Sequence, residues 1–326
     1  MNLYIVMGTY NGENFIATQI ESILKQTISD FRLLIRDDGS TDSTCAILSQ
    51  LANEDSRIEI LNDTKGNLGA AFNFEILINE AYIRGADFIA FSDQDDYWLE
   101  NKLKLSLIAL KSLSSDLPAL VHTDLSVVNE SLQVKHSSFM KYQGIHHVDK
   151  KPINVLLVQN FVTGCTTIIN RKLVEISRPF PKEIVMHDWW LALCAGAFGE
   201  IKFVEQATVL YRQHASNVIG AKSHIRKLVQ SLNLVSKSTS IAVSMNNFLA
   251  SLAQAKSLKN FILDKNLKKN RFNNTEEKYV DLFLTENNIL VFLAKLVKYK
   301  IYRQKIYATI GLYLIAVYVK FCKIKI

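Results

Sequence analysis

Apolar runs and amphipathic segments alternate over roughly the first hundred residues of the chain. Each short apolar run predicts a buried strand, and each segment with apolar residues at helical spacing predicts a helix. The predicted strands are residues 3–10, 31–40, 57–63 and 87–93. The predicted helices between them are residues 14–26, 40–52 and 68–85. Such alternation is typical of an α/β fold in which helices cover both faces of a parallel sheet.

The pattern is less regular further along the chain. Two strands and two helices are predicted there, at 119–129, 202–214, 170–177 and 187–199. Beyond about residue 225 almost every segment has a helical pattern. We therefore expect an α/β domain over residues 1–225 and a helical region over residues 226–326.

Polar clusters follow three of the predicted strands. They are GTYNG at 8–12, DDGSTD at 37–42 and SDQDD at 92–96. Ligands of open parallel sheets bind beyond the carboxyl ends of the strands, so these clusters predict a single site at one sheet edge. The fingerprints GxGxxG and GxxxxGK[ST] are absent from the sequence, which disfavours dinucleotide-binding and P-loop proteins.

Three carboxylates, Asp93, Asp95 and Asp96, lie within four residues of each other. Carboxylate oxygens suit the hard cations Mg²⁺ and Mn²⁺, which are commonly held by one or two carboxylates and the phosphates of a substrate. The alternative is a solvated acidic turn that precedes the next helix. Asp38 at the end of the second strand can accept a hydrogen bond from a base or from ribose hydroxyls. Alternatively, it forms a local turn and helix cap.

Residues 186–192, MHDWWLA, place two polar side chains before an apolar helix. Asp188 either caps this helix or acts as a general base. Trp189 and Trp190 would then wall the site, because aromatic rings suit the apolar faces of sugars. His187 is the second polar residue of the motif.

The stretch YRQHASN at 211–217 follows the last predicted strand. Arg212 can bind phosphate through its guanidinium group. His214 can ligate a metal ion or contact a diphosphate. The alternative for His214 is a structural role within the protein.

Composition adds an asymmetry of charge. The 326 residues carry a net charge of +7, and 48% of them are hydrophobic, which permits a full core and argues against disorder. Residues 221–326 hold 19 basic against 5 acidic residues, a net of +14, so residues 1–220 have a net of −7. The negative net charge of residues 1–220 indicates a domain with an acidic site. The positive net charge of residues 221–326, called the tail below, indicates an anionic partner.

The tail predicts contact with a membrane surface. Within the closing residues 288–326, the longest uncharged run, Ile306 to Val319, is 14 residues long, which is shorter than the roughly 20 residues of a membrane span. Basic and aromatic residues flank it, so an interfacial helix on an anionic leaflet fits better. The alternative is an ordinary helical subdomain. Nucleic acid is disfavoured because no nucleic-acid-binding module accompanies the basic residues.

The cysteines and the N-terminus predict the cellular compartment. The four cysteines are scattered without paired spacing, as expected for a reduced, cytosolic chain. The first residues, MNLYIVMGTYNG, lack the basic and apolar regions of a signal peptide. We expect a cytoplasmic protein that lies peripherally on the inner face of the cell membrane.

Six motifs together resemble the family 2 glycosyltransferases with the GT-A fold. They are MGTYNGENFIATQIESILKQT, IRDDGSTDST, FSDQDDYW, FVTGCTTIINRKL, HDWWLAL and YRQHASN, and the resemblance covers residues 1 to about 220. The longer strings SDQDDYW, HDWWLAL and YRQHASNVIGA are most similar to bacterial rhamnosyltransferases that build cell-wall, capsular or O-antigen polysaccharide.

The resemblance implies roles on the donor side. Thr9 and Tyr10 would lie against the nucleoside of a dTDP- or UDP-sugar, and Asp38 would contact its pyrimidine base. Asp93 would contact the ribose or a metal-bound water. Asp95 would ligate the Mg²⁺ or Mn²⁺ that bridges the diphosphate.

The resemblance also implies roles at the metal and on the acceptor side. His214 would help to hold the metal or the diphosphate, and Asp96 is additional to the Asp-x-Asp motif of the family. Gly164 would line the acceptor side, and Asp188 would be the catalytic base. His187 stands where many relatives have an acidic residue, so it either positions the acceptor or packs.

The implied reaction is an inverting transfer, for which L-rhamnose from dTDP-rhamnose is the first expectation. The acceptor would be a glycan carried on a polyprenyl diphosphate. The alternatives are a UDP-hexose donor, or an inactive GT-A module that binds glycan or nucleotide.

Overall fold

The computed structural model describes residues 1–214, 234–264 and 289–321. Its first half contains four parallel strands in the order β3-β2-β1-β4. These strands are β1 (Leu3–Thr9), β2 (Arg32–Asp37), β3 (Ile58–Ile60) and β4 (Phe88–Ser92). Thr9 pairs with Asp37, and Met7 pairs with Ser92, so the strands end at one edge of the sheet. The polar clusters that follow them therefore meet, as the sequence predicts.

The sheet becomes mixed beyond β4. The remaining strands are β5 (Tyr97–Trp98), β6 (Ala119–Val128), β7 (Val134–His136), β8 (Thr167–Asn170) and β9 (Glu200–Arg212). The order continues as β4-β8-β6-β9-β5, with β7 beside β6. β8 is antiparallel to both of its neighbours, and β6 and β9 are parallel. The two-residue β5 pairs with the end of β9. This pairing brings the chain after β9 beside residues 93–96, which are called the acidic segment below.

Helices cover both faces of the sheet. They are α1 (Ile16–Leu24), α2 (Thr44–Glu54), α3 (Ala70–Ile83), α4 (Lys102–Lys111), α5 (Phe139–Gln143), α6 (Ile153–Leu156), α7 (Arg171–Ser177) and α8 (His187–Phe198). β1 shows how its sequence serves both faces, since successive side chains of a strand point in opposite directions. Leu3, Ile5 and Met7 lie in one hydrophobic cluster, and Tyr4 and Val6 lie in the other. This is why the run is apolar at nearly every position.

The predicted C-terminal helices are present in the described part of the chain. They are α9 (Leu234–Asp264), α10 (Ile289–Lys298) and α11 (Ile306–Phe321). Phe248 of α9, Phe292 of α10 and Leu312 of α11 belong to the same hydrophobic cluster as Trp190 of α8. The predicted boundary at residues 225 and 226 lies outside the described residues, so the two-domain division remains a prediction.

None of the helices in the described ranges has both the length and the apolar character that crossing a bilayer requires.

The predicted strands and helices differ from the observed ones mainly in the residues at which they begin and end. The helix predicted from residue 40 begins at Thr44, because carboxylates hold the preceding residues in turns. The backbone N–H of Ser40 donates to Asp37 at 2.9 Å, and that of Thr44 donates to Asp42 at 3.0 Å. Asp42 therefore has a local role at the start of α2.

Two glycines offer a test of packing at the end of α8. A Cβ atom on Gly199 would lie 1.8 Å from the carbonyl oxygen of Pro118, whereas Gly311 in α11 has no heavy atom within 4 Å of that position. Gly199→Ala should therefore lower the free energy of unfolding by roughly 1–3 kcal/mol. Gly311→Ala should change it little or raise it by up to about 1 kcal/mol. Urea denaturation measures both, and an unchanged midpoint for Gly199→Ala would contradict this packing.

Candidate active site

The loops after β1 and β2 are locked together. The side-chain oxygen of Asn11 accepts from the N–H of Thr41 at 2.8 Å, and the N–H of Asn11 donates to Ser40 at 2.8 Å. Asn11 has a φ of 48°, in the left-handed region that Asn tolerates. Thr9 is buried, and its hydroxyl has no hydrogen-bond partner in the described part of the chain. The ring of Tyr10 is 49% exposed, so it is available as a surface for a ligand.

Gln94 joins the acidic segment to the first of these loops. Its side-chain oxygen accepts from the N–H of Tyr10 at 2.8 Å, and its amide donates to the Tyr10 carbonyl at 2.9 Å. A Cβ atom on Gly12 would lie 2.4 Å from the same side chain, so Gly12 leaves the space that Gln94 fills.

Asp38 is buried and fully bonded within the protein. Its Oδ1 atom accepts from Arg36 at 2.6 Å and from the N–H of Leu68 at 2.8 Å, and its Oδ2 atom accepts from the N–H of Gly69 at 2.8 Å. Arg36 also pairs with Asp63 and holds the pKa of that carboxyl at about 2. Contact between Asp38 and a base would require residues 68–69 to leave the carboxylate. Asp38 in this structure organises the loop before α3.

The acidic segment crowds negative charge into the protein. Asp93 is half-buried and Asp96 is fully buried, and their ligand atoms and that of Cys165 all lie within 4.8 Å of one another. Burial, followed by the charges of Asp95 and Asp188, raises the pKa of Asp93 to about 7. Burial and the charges of Asp95 and Asp93 raise the pKa of Asp96 well above its ordinary value. The cluster therefore concentrates carboxylate oxygens, whose proton affinity is raised, in a small and largely buried volume.

His214 and Asp95 are in direct contact, as expected of two ligands of one metal. The Nε2 atom of His214 lies 2.8 Å from the Oδ2 atom of Asp95. The ring of Phe15 supports His214 at a centroid distance of 4.6 Å. This contact arises because the pairing of β5 with β9 delivers His214 to the acidic segment.

The Arg212 side chain is buried and hydrogen-bonded to backbone carbonyls of the protein. It is 4% exposed, its Nε atom donates to the carbonyl of Asp95 at 2.9 Å, and its Nη1 atom donates to the carbonyl of Glu130. Its N–H donates to Asp96 at 3.2 Å. The structure thus places Arg212 beneath the acidic segment, holding that segment in shape, rather than as an open phosphate contact.

The donor set of this cluster fits a hard divalent cation. The Oδ2 atom of buried Asp96 has no hydrogen-bond partner among the described residues. Burial raises the pKa of the Cys165 thiol, so the sulfur stays protonated and is a poor ligand. Carboxylate oxygens of Asp93, Asp95 and Asp96, with His214, are the donors that remain for Mg²⁺ or Mn²⁺.

Asp188 stands at the start of α8 with both oxygens bonded to the backbone. Its Oδ2 atom accepts from the N–H of Gly164 at 3.0 Å, and its Oδ1 atom accepts from the N–H of Trp189 at 2.6 Å. Burial raises its pKa to about 6, although these bonds and the nearby Asn160 side chain oppose the rise. A Cβ atom on Gly164 would lie 2.9 Å from His187, so only glycine fits this position. Asp188 is a carboxylate that is ionised near pH 7 and yet unusually basic.

The aromatic residues of the same motif do not form a common wall. Trp190 is fully buried, and its indole N–H donates to the carbonyl of Ser177 at 2.8 Å. Trp189 is half-buried, and its indole N–H donates to the carbonyl of Leu156 at 2.6 Å. The prediction that Trp190 lines the acceptor side is therefore wrong in this structure. The reason is helical phase, because consecutive residues of a helix point about 100° apart.

His187 packs in the core. Its ring lies 3.9 Å from that of Phe74 and 5.5 Å from that of Phe91, between centroids. Burial lowers its pKa to about 3, so the ring is neutral, and neither nitrogen has a hydrogen-bond partner in the described ranges. Of the two roles left open by the sequence, the structure favours packing over acceptor contact.

Three residues near the site were not predicted. Asn160 lies near Asp188 and lowers its pKa, Cys165 lies against Asp93 and Asp96, and Lys102 is buried with its Nζ atom 3.8 Å from the ring centroid of Trp98. The Lys102 amine has no hydrogen-bond partner among the residues the structure describes, and burial lowers its pKa to about 8. The sequence offers no signal for Lys102, since its position has ordinary helical periodicity.

Comparison with known proteins identifies the class. The family model "Glycosyl transferase family 2" matches residues 4–175. The dTDP-rhamnosyl transferase RfbG of Shigella flexneri is 30% identical over 241 residues, which are 70% of this chain and 78% of RfbG. WfgD of Escherichia coli, a UDP-Glc:alpha-D-GlcNAc-diphosphoundecaprenol beta-1,3-glucosyltransferase, is 35% identical over 183 residues, which are 54% of this chain and 63% of WfgD.

Solved structures identify the fold. S. aureus TarS 1-349 in complex with UDP-GlcNAc superposes with a TM-score of 0.54 at 17% identity, covering 99% of this chain and 91% of TarS. The mannosyltransferase PcManGT from Pyrobaculum calidifontis, in complex with GDP-Man and Mn²⁺, superposes with a TM-score of 0.52 at 15% identity, covering 98% and 86%. The fold is GT-A, and the molecule is a glycosyltransferase. The chain belongs to glycosyl transferase family 2.

The pKa values of Asp188 and Asp63 are shifted in opposite directions, and these shifts can be tested without a substrate. Burial raises the pKa of Asp188 to about 6, whereas Arg36 holds that of Asp63 at about 2. In ¹³C-carboxyl NMR of aspartate-labelled protein, the signal lost in Asp188→Asn should titrate with a midpoint near pH 6. The signal lost in Asp63→Asn should not titrate above about pH 3. A midpoint near 4 for both signals would contradict these environments.

Proposed function

We propose that this protein is an inverting, metal-dependent transferase of L-rhamnose from dTDP-rhamnose to a glycan acceptor in bacterial surface polysaccharide synthesis. One observation carries the proposal. A basic carboxylate, Asp188, lies close enough to the Asp93 and Asp95 cluster to raise the pKa of Asp93. Asp188 would then be a general base beside a cation site, which is what transfer from a nucleoside diphosphate requires.

Asp188 would act on the acceptor. In the ionised state its carboxylate removes the proton of an acceptor hydroxyl while that oxygen attacks the anomeric carbon from the face opposite the diphosphate. The bond from the anomeric carbon to the diphosphate oxygen breaks in the same step, and the electron pair leaves with the nucleoside diphosphate. The raised pKa of about 6 makes Asp188 a stronger base than an exposed carboxylate while leaving it ionised above that pH. The N–H groups of Gly164 and Trp189 hold it in orientation.

Asp93, Asp95 and His214 would hold Mg²⁺ or Mn²⁺. A bound divalent cation supplies positive charge that neutralises the departing diphosphate. The contact between His214 and Asp95 orients both groups before a ligand arrives. Arg212 maintains the shape of this segment through the carbonyl of Asp95.

The loops after β1 and β2 would hold the nucleoside. Tyr10 offers an exposed ring, and Thr9 offers a hydroxyl without a partner in the described part of the chain. A base contact by Asp38 belongs to the proposal only with movement of residues 68–69, which now occupy its carboxylate. The name of RfbG, a dTDP-rhamnosyl transferase, supports dTDP-rhamnose as the donor.

A lipid-linked acceptor is the second part of the proposal. The name of WfgD describes transfer to a diphosphoundecaprenol-linked sugar, which supports a polyprenyl-diphosphate acceptor for this chain. Such an acceptor resides in a membrane, so the protein would work peripherally at the inner face of the cell membrane. No nucleic acid partner is proposed.

A UDP-hexose donor is the second candidate function. The name of WfgD and the complex of TarS with UDP-GlcNAc favour it. Uracil and thymine both present an N3–H group, so the loop at Asp38 does not separate the two donors. An inactive binding module is disfavoured because Asp188 retains the environment of a general base.

The base assignment predicts a selective loss. With Mg²⁺ or Mn²⁺ and a panel of dTDP- and UDP-sugars, the wild type should release nucleoside diphosphate fastest from dTDP-rhamnose when acceptor lipid extract is added. Asp188→Asn should lower this transfer by about 10²–10⁴-fold and leave donor affinity unchanged, because the general base acts only on the acceptor proton. The exposed Asp30, replaced by Asn, is the control. Retained transfer by Asp188→Asn would refute the assignment, and preference for a UDP-hexose would select the second candidate.

The metal assignment predicts a loss of a different kind. Asp95→Ala should weaken Mn²⁺ binding, followed by electron paramagnetic resonance, by at least about tenfold, because a carboxylate ligand and the contact with His214 are both removed. Donor affinity in titration calorimetry should fall only when Mn²⁺ is present. Asp30→Ala should leave both quantities at the wild-type value. Equal Mn²⁺ affinity of Asp95→Ala and wild type would count against this site.

A further inference from the structure

The side of α11 that faces away from the protein is apolar. Ile306, Ile310, Leu314 and Tyr318, spaced four residues apart, are 82%, 55%, 67% and 54% exposed. Leu312 and Ala316, on the other side of the helix, are buried in the core. No charged residue occurs from 306 to 319. A surface helix of a globular protein normally presents polar side chains to water. The apolar side of α11 therefore indicates contact with an apolar surface.

α10 repeats the arrangement. Leu290 and Val297 are 76% and 62% exposed, while Phe292 and Leu296 on the opposite side are fully buried. Lys298 follows the exposed stripe directly, and α10 packs against α11. The exposed residues of the two helices, Leu290, Val297, Ile306, Tyr307, Ile310, Leu314 and Tyr318, are called the docking face below.

The chemistry of its surroundings points to a lipid surface as the occupant. Lys298, Lys300 and Lys305 flank the docking face, and residues 221–326 carry 19 basic against 5 acidic residues. With 16 residues, α11 is about 24 Å long, shorter than the roughly 30 Å of a hydrocarbon core. An apolar face with aromatic and basic residues on a helix too short to span is typical of an interfacial helix on an anionic leaflet.

The connection between α10 and α11 is bonded to the segment beside the catalytic carboxylate. The N–H of Gln304 donates to the side chain of Gln159 at 2.9 Å, and the guanidinium of Arg303 donates to the carbonyl of Val158 at 3.2 Å. The side chain of the next residue, Asn160, lies near Asp188 and lowers the pKa of that carboxyl.

The Gln304 side chain anchors a second segment. Its oxygen accepts from the N–H of His146 at 2.8 Å, and its amide donates to the His146 carbonyl at 2.6 Å. The docking face and the acceptor end of the site are thus held by one short stretch, residues 303–304.

We propose that the docking face binds the protein to an anionic bilayer surface, and that residues 303–304 thereby hold Asp188 at the level of a membrane-embedded acceptor's diphosphate. The proposal rests on the proposed function for the identity of the acceptor. The bilayer contact itself rests on the docking face alone.

Vesicle flotation with the full chain tests the bilayer contact. The probe is phosphatidylcholine vesicles containing about 30% phosphatidylglycerol, compared with phosphatidylcholine alone. Ile310→Asp/Leu314→Asp should lower the fraction bound to anionic vesicles roughly tenfold or more, since two apolar side chains no longer enter the lipid. Ile83→Asp/Ile108→Asp is the matched control, because Ile83 and Ile108 are 73% and 60% exposed on α3 and α4 and the added charge is the same. The control should bind like the wild type.

Three outcomes overturn the bilayer contact. They are a wild type that does not float, a docking-face variant that floats like the control, and a concentration-dependent dimer that this variant abolishes without any vesicle binding. Thermal melting must show that both double variants remain folded, and Leu290→Asp/Val297→Asp on α10 provides a second pair.

Donor hydrolysis without vesicles separates this proposal from the proposed function. Docking-face variants should hydrolyse the donor at the wild-type rate and lose transfer to acceptor in vesicles. A wild type that floats but neither hydrolyses nor transfers any sugar refutes the proposed function and leaves the bilayer contact standing.

Gln159→Ala tests the link to the site, because it removes the side-chain oxygen that accepts from the N–H of Gln304. Gln159 precedes Asn160 and is not catalytic, so its replacement should leave flotation and donor hydrolysis unchanged. The kcat for transfer to the lipid acceptor should fall at least severalfold, while the KM for donor stays constant. An unchanged kcat, or an equal loss of hydrolysis and transfer, would overturn the coupling.

Discussion

Repulsion among carboxylates at one edge of the sheet is the constraint on which the rest of the structure depends. Asp93, Asp95, Asp96 and Asp188 share a region shielded from water, where each charge is felt strongly by the others. Burial, and after it the charges of neighbouring carboxylates, raises the pKa values of Asp93 and Asp96. Backbone N–H groups and the guanidinium of Arg212 offset part of this charge. The proposed function assigns Mg²⁺ or Mn²⁺ to this cluster because carboxylate oxygens suit such cations.

The sheet topology makes the cluster possible. Parallel β1, β2 and β4 end in register, and this brings three polar loops to one edge. The contact between His214 and Asp95 depends on the shortest strand, β5. Its two residues pair with Val209 and Leu210 of β9, so the chain leaving β9 passes directly over the acidic segment. Without this pairing, His214 and Asp95 would be distant in space as they are in sequence.

The sequence predicts the strand and helix order and the sheet edge, because these follow from periodicity. The family resemblance, and not a local pattern, is what relates Asp95 and His214 to one site. Prediction from the sequence fails where the outcome depends on the direction of a side chain or on a partner far along the chain. Trp190 and His187 belong to the same motif as Asp188, but their positions along α8 direct both side chains into the hydrophobic core. The partners of Asp38 come from a loop thirty residues later, and those of Arg212 come from two loops more than eighty residues earlier. Such pairings leave no local pattern in the sequence.

Gln94 gives the Asp-x-Asp motif a further meaning. Its amide is bonded twice to the backbone of Tyr10 and fills the space above Gly12. Residues 93–96 and the loop after β1 are therefore joined directly. In the proposed function the first would hold the cation and the second the nucleoside. Two ligands that order the same pair of joined segments would each reduce the entropic cost of binding the other, and such coupling is reciprocal. Under that proposal the middle residue of the motif would couple the cation to the nucleotide, so that each would be retained best when both are present.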